Sequence, residues 1–167
     1  MIMVLGACTS GYNVSVNLGE EEKKSIEADI IKQQDDIKNY KAEDGSIPSA
    51  SIISLALDYE KMGKLGKAIS LYESWLKKGY RAFALINNLG KLYEKVGETD
   101  KAVEQYLRLI NEYQEDRYLY DITWAYINGK DRRNAEKYFN LWQLKFSKTD
   151  EQTQTAIKKL REEEKQK

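Results

Sequence analysis

From Ile52 onward, apolar residues recur three and four positions apart, the spacing that lines one side of an α-helix. Each run stops at a pair built for a turn: Gly63-Lys64, Gly79-Tyr80, Gly97-Glu98 and Gly129-Lys130. Glycine is expected where a helix closes in the left-handed conformation. The pattern predicts helices over 49–62 and 65–78, 83–96 and 99–113, and 116–128 and 131–146. Pro48 suits a first helical turn, and Ser49 suits a cap. Connections this short make each helix run antiparallel to the one before.

Two further helices flank this block. Residues 20–42 are densely charged, with Ile26, Ile30, Ile37 and Tyr40 in one narrow stripe and Ile31 beside it. Asp44-Gly45-Ser46 ends the stripe. This spacing does not fit the later pattern, so the segment reads either as a capping or packing helix at the end of the block or as a coiled-coil or partner-binding arm. The last helix is expected to start at Thr149, with Gln152 three residues on as in a capping box. Its stripe is Thr153, Ala156, Ile157 and Leu160, and residues 161–167 are wholly polar. A polar closing helix is what a stack of repeats needs for solubility.

The block repeats itself. Leu55-Ala56-Leu57-Asp58-Tyr59 returns 34 residues later as Leu89-Gly90-Lys91-Leu92-Tyr93, and again as Ile122-Thr123 with Tyr126. Ala68, Ala102 and Ala135 answer one another, as do Tyr72, Tyr106 and Phe139. A unit of this length is one helical hairpin, which buries its apolar face only against neighbours. Ala56, Gly90 and Thr123 are small where the two helices of a hairpin cross, as are the three alanines on the second helices. The large rings then fill the gap toward the next hairpin. The expected architecture is all-α.

In each unit a large residue, a leucine or isoleucine, a small residue and a tyrosine are followed by an alanine and an aromatic. The matched sets are Ile52, Leu55, Ala56, Tyr59, Ala68 and Tyr72; Ile86, Leu89, Gly90, Tyr93, Ala102 and Tyr106; and Leu119, Ile122, Thr123, Tyr126, Ala135 and Phe139. This pattern resembles the tetratricopeptide repeat. The resemblance implies an α-solenoid of three such hairpins, 49–82, 83–115 and 116–149, together 49–149. A segment 1–19, an N-terminal helix 20–45 and a C-terminal cap 150–167 flank them. Trp75, Leu109 and Trp142 stand where the family prefers alanine, and the closing proline is missing from every unit.

In that family the first helices line a concave binding face. The resemblance places Ile53, Ser54 and Leu57 there in the first unit, and Asn87, Asn88, Lys91 and Lys95 in the second. In the third it places Arg117, Tyr120, Asp121, Trp124 and Asn128. The implied partner is a protein or peptide lying in this groove. Some relatives clamp a C-terminal carboxylate with basic residues. Asn88 and Arg117 match that clamp, but Ile53, Leu57 and Asp121 replace its other members, and an acid at Asp121 repels a carboxylate. Trp124 and Tyr120 have two readings, as anchors for the partner or as packing beneath the C-terminal helix.

Composition narrows the chemistry. There is no histidine, which removes the commonest general base and metal ligand. One cysteine permits neither an internal disulfide nor a thiolate metal cage. No nucleophile–base pair, phosphate loop or ligand set appears, so no enzyme, metal or cofactor is expected. Net charge is zero, with residues 20–44 acidic and 117–167 basic, and no basic stripe suited to nucleic acid accompanies the tyrosines.

The cysteine is placed tellingly. Leu5-Gly6-Ala7-Cys8 resembles the lipobox of bacterial lipoproteins, which implies acylation at Cys8 and a polar tether over residues 9–19. Met1 to Ala7 carry no charge, whereas a secretory signal opens on basic residues. Two readings follow: a start upstream of Met1, or a free cysteine in an N-terminal tail. The first implies a bacterial cell-envelope scaffold on the membrane, in the outer membrane of a Gram-negative cell because Thr9 follows the cysteine. The alternative is a cytoplasmic adaptor without a lipid.

Overall fold

The computed structural model describes residues 12–41 and 46–166; Cys8 with its lipobox-like neighbours, and the break at Asp44-Gly45, lie outside them. Among the described residues there are eight helices and no strand, which bears out the all-α expectation. They are α1 (Glu20–Asn39), α2 (Ser49–Lys61), α3 (Leu65–Lys77), α4 (Phe83–Lys95), α5 (Thr99–Tyr113), α6 (Tyr118–Asn128), α7 (Arg132–Phe146) and α8 (Glu151–Lys165). They fall into two compact units, Met1–Leu85 and Ile86–Lys167.

In the first unit α2 and α3 form a hairpin, and α1 packs on α2. Ala56 and Ala68 are fully buried, as the close crossing requires, with Ile52, Leu65, Ile69 and Tyr72 around them. Ile26 and Ile30 are the buried residues of α1, whereas Ile31 stays exposed. Side-chain amides fix its register: Gln33 donates to Ser54 (2.8 Å) and to Asp58 (2.9 Å), and Gln34 donates to the Tyr59 hydroxyl (2.8 Å). Buried Asp58 is also paired with Lys61 at 2.7 Å, so its charge is compensated. The stretch before α1 is not a free tether throughout. The Val14 N–H donates to the Gly63 carbonyl at 2.9 Å, and Asn13 bridges to Lys64.

In the second unit, α5 packs on α6, α6 on α7, and α8 on both α6 and α7. Ala102 and Ala135 are fully buried, so all three repeat alanines are shut off from solvent. Thr123 is fully buried too, and its hydroxyl donates to the Leu119 carbonyl (2.8 Å), which satisfies it inside the helix. The rings of Tyr106 and Tyr118 stack at 5.5 Å, joining α5 to α6. Phe139, Ile127, Ile157 and Leu160 close a cluster that α8 completes.

Several boundary details differ from the sequence reading. Asp150, not Thr149, caps α8: its carboxylate accepts from the Thr153 N–H at 2.8 Å. Pro48 holds the N-cap position of α2 and Ser49 is already helical, with no side-chain cap. Gly63, Gly79 and Gly97 are left-handed as expected, but Gly129 is not (φ −75°), and Lys130 takes that conformation instead (φ 60°). A methyl at Gly129 would lie 2.5 Å from Thr99 Oγ1, so this glycine serves a close approach rather than a left-handed backbone.

Candidate functional site

Within the second unit, α4 and α6 present one face. Asn87, Asn88, Lys91, Glu94 and Lys95 come from α4. Asp121, Trp124 and Asn128 come from α6, with Arg117 just ahead of it. The Tyr118 hydroxyl donates to Asn87 Oδ1 at 2.9 Å, linking the helices at one end. Lys91, Lys95, Arg117 and Asn128 are exposed, whereas Asn87, Asn88 and Asp121 are half-buried. Arg117 pairs with Glu115 (3.2 Å) and lies over the Tyr118 ring.

Two carboxylates set the electrostatics. Burial, and after it Asp121, raises the Glu94 pKa to about 7 against the pull of the Tyr106 hydroxyl and Lys91. Burial also raises Asp121, against the pull of its backbone contacts, Lys91 and Arg117. The Tyr106 hydroxyl is held protonated, chiefly by burial and then by Glu94. Glu94 is a residue the sequence reading missed. Its signal was its place three positions after Lys91, on the same side of α4.

Tyr120 and Trp124 turn toward α8. The Tyr120 hydroxyl donates to Asp150 Oδ2 (3.1 Å), and its ring meets Trp142 at 5.0 Å and Trp124 at 6.4 Å. Trp124 packs on the cluster that holds Ile157 and Leu160. Of the two readings left open for these rings, the geometry carries packing beneath the C-terminal helix. Ile53, Ser54 and Leu57 belong to the first unit, where Ser54 is already engaged by Gln33 of α1.

Residues 84–117 match the family model of the tetratricopeptide repeat. That span is α4, α5 and the turn leading to α6. The fold is also similar to the crystal structure of a tetratricopeptide repeat protein from Parabacteroides merdae, at TM-score 0.59 and 23% identity. The likeness covers 84% of this chain and 61% of that one, so the chain spans about three fifths of that relative's length. No curated protein matches the sequence. Tetratricopeptide repeats are interaction modules, and the α4/α6 face is formed by the first helices of two successive hairpins. Among the described residues no group of His, Cys, Asp or Glu could hold a metal ion. No described helix is long and apolar enough to cross a membrane.

Proposed function

We propose that this chain is a non-enzymatic protein-interaction scaffold whose partner lies along α4 and α6, and that a lipid on Cys8 tethers it in a bacterial cell envelope. The observation that carries the first part is the α4/α6 face. Hairpin packing leaves Lys91, Lys95 and Asn128 exposed there, around half-buried acids that hydrophobic packing does not account for. A C-terminal carboxylate is a poor occupant, because Glu94 and Asp121 would both repel it. An internal segment of a partner fits better. Support for the tether is the Leu5-Gly6-Ala7-Cys8 run and the polar residues that follow it. Acylation on more than one chain would give firm anchoring where a single chain is marginal.

Photo-crosslinking in cells tests the first part. A crosslinkable residue at Lys91 or Lys95 is expected to give discrete protein adducts, and one at exposed Glu104 or Lys137 on the second helices is not. Equal adducts at all four positions, or none at Lys91 and Lys95, overturn the assignment. Labelled palmitate fed to cells expressing the gene tests the second part. Label that is absent, or unchanged in Cys8→Ser, removes the anchor and leaves the cytoplasmic adaptor.

A further inference from the structure

A small recess of about 130 Å³ opens where α4 and α6 end, lined by Glu94, Gly97, Thr99, Ala125, Asn128 and Gly129. It is far below the few hundred Å³ of a small-molecule site and suits one side-chain head group. Two of its walls are glycines, and Thr99 Oγ1 lies hard against Gly129. Its ionisable group is the Glu94 carboxylate.

We infer that this recess receives a basic side chain, lysine or arginine, from the partner segment, with Glu94 as its counter-ion. The inference rests on the interaction reading above and names the chemistry of the partner at one position. Glu94 has lost water to burial, yet among the described residues no Lys or Arg forms an ion pair with it. Its neighbours do not neutralise it. Asp121 faces it from α6 and repels it, Tyr106 donates one hydrogen bond from α5, and Lys91 on α4 acts only at a distance. An apolar occupant would strip the carboxylate of its remaining water without a partner, and an acidic one would add a third negative charge. A guanidinium or ammonium supplies the missing charge and has donors for the Thr99 hydroxyl as well.

The experiment uses the full chain and immobilised short-peptide pools, randomised around one fixed position that is arginine, lysine, norleucine or glutamate. At pH 8 the wild type is expected to retain about tenfold more of the arginine and lysine pools than of the norleucine pool. The preference is expected to shrink toward pH 6 as Glu94 takes up its proton. Glu94→Gln keeps the shape and the acceptor for Tyr106, and it should abolish the preference at every pH. Asn128→Phe, at an exposed position on the rim, should block the recess and lower retention of the basic pools alone. Equal retention of all pools by the wild type, a preference that survives in Glu94→Gln, or retention of no pool each overturns the inference. The crosslinking at Lys91 decides the interaction reading separately, so the two can fail independently.

Discussion

Gly90 of α4 lies directly under the ring of Tyr106 of α5: a methyl group at Gly90 would sit 2.8 Å from Tyr106 Cε1. Real side chains do not approach so closely, so this crossing is closed to anything larger than hydrogen. Gly90→Val should destabilise the second unit by roughly 1–3 kcal/mol through overpacking. Gly90→Ala should cost less, because alanine recovers about 1 kcal/mol of helix propensity. Combined with Tyr106→Leu, which removes the obstructing ring, Gly90→Ala should then become neutral or favourable relative to Tyr106→Leu alone. Urea unfolding of the four proteins checks this; additive losses would show that the two residues do not share the crossing.

Gly63 carries two constraints at once. Its φ is +69°, and a methyl there would meet the Val14 carbonyl oxygen at 2.1 Å. Gly63→Ala therefore adds left-handed strain of about 1–2 kcal/mol to the loss of the docked 12–18 segment. Hydrogen exchange at the Val14 amide, which donates to Gly63, is expected to speed up sharply in the variant. Exchange at unchanged rate would show that the segment is held by other contacts.

Much of this fold is legible in the sequence. The alanine series 68, 102 and 135 is small because helices cross closely there, and all three positions are fully buried. That constraint is local and repeats, so periodicity exposes it. The partners of long polar side chains are a different matter. Gln33 reaching Ser54 and Asp58, or Tyr120 reaching Asp150, depends on how separate helices meet, which no spacing within one helix encodes. Glu94 escaped notice for the same reason. A glutamate beside the repeat tyrosine looks like any solvated acid until α5 and α6 close over it. The Gly129 and Lys130 exchange shows the limit at turns: two adjacent residues could take the left-handed position, and the glycine is needed instead for the close approach of Thr99.

Asp150 joins the N-terminus of α8 to the ring of Tyr120. Its carboxylate accepts from the Thr153 N–H (2.8 Å), the Thr153 hydroxyl and the Tyr120 hydroxyl (3.1 Å). Asp150→Ala should destabilise the unit by about 1 kcal/mol, the usual worth of an N-cap. Hydrogen bonds from Thr153 hold the carboxyl below its ordinary pKa. A carboxyl lowered by folding stabilises above its unfolded pKa and loses that contribution as pH falls through the folded value. The gap between wild type and Asp150→Ala should thus be full at neutral pH and shrink below about pH 4. Chemical denaturation at pH 7 and pH 3 checks it; a gap independent of pH would assign the loss to packing.

Glu94 works in the opposite sense. Its folded pKa of about 7 lies above the ordinary 4.5, so between those values the folded chain binds more protons than the unfolded one. Stability contributed by the protonated acid is complete below about pH 4.5 and is lost as pH rises through 7. At pH 8 the ionised, half-buried carboxylate is a burden. A shift of this size corresponds at most to a few kcal/mol, and partial exposure to solvent cuts it to roughly 1 kcal/mol. Glu94→Gln keeps the acceptor for the Tyr106 hydroxyl without the charge. It should therefore be more stable than the wild type by about that amount at pH 8, and indistinguishable from it at pH 4.5. That outcome would show that folding alone does not account for the acid, as expected of a recess that takes a partner's cation. Equal stabilities at both pH values would show that solvent already screens the charge.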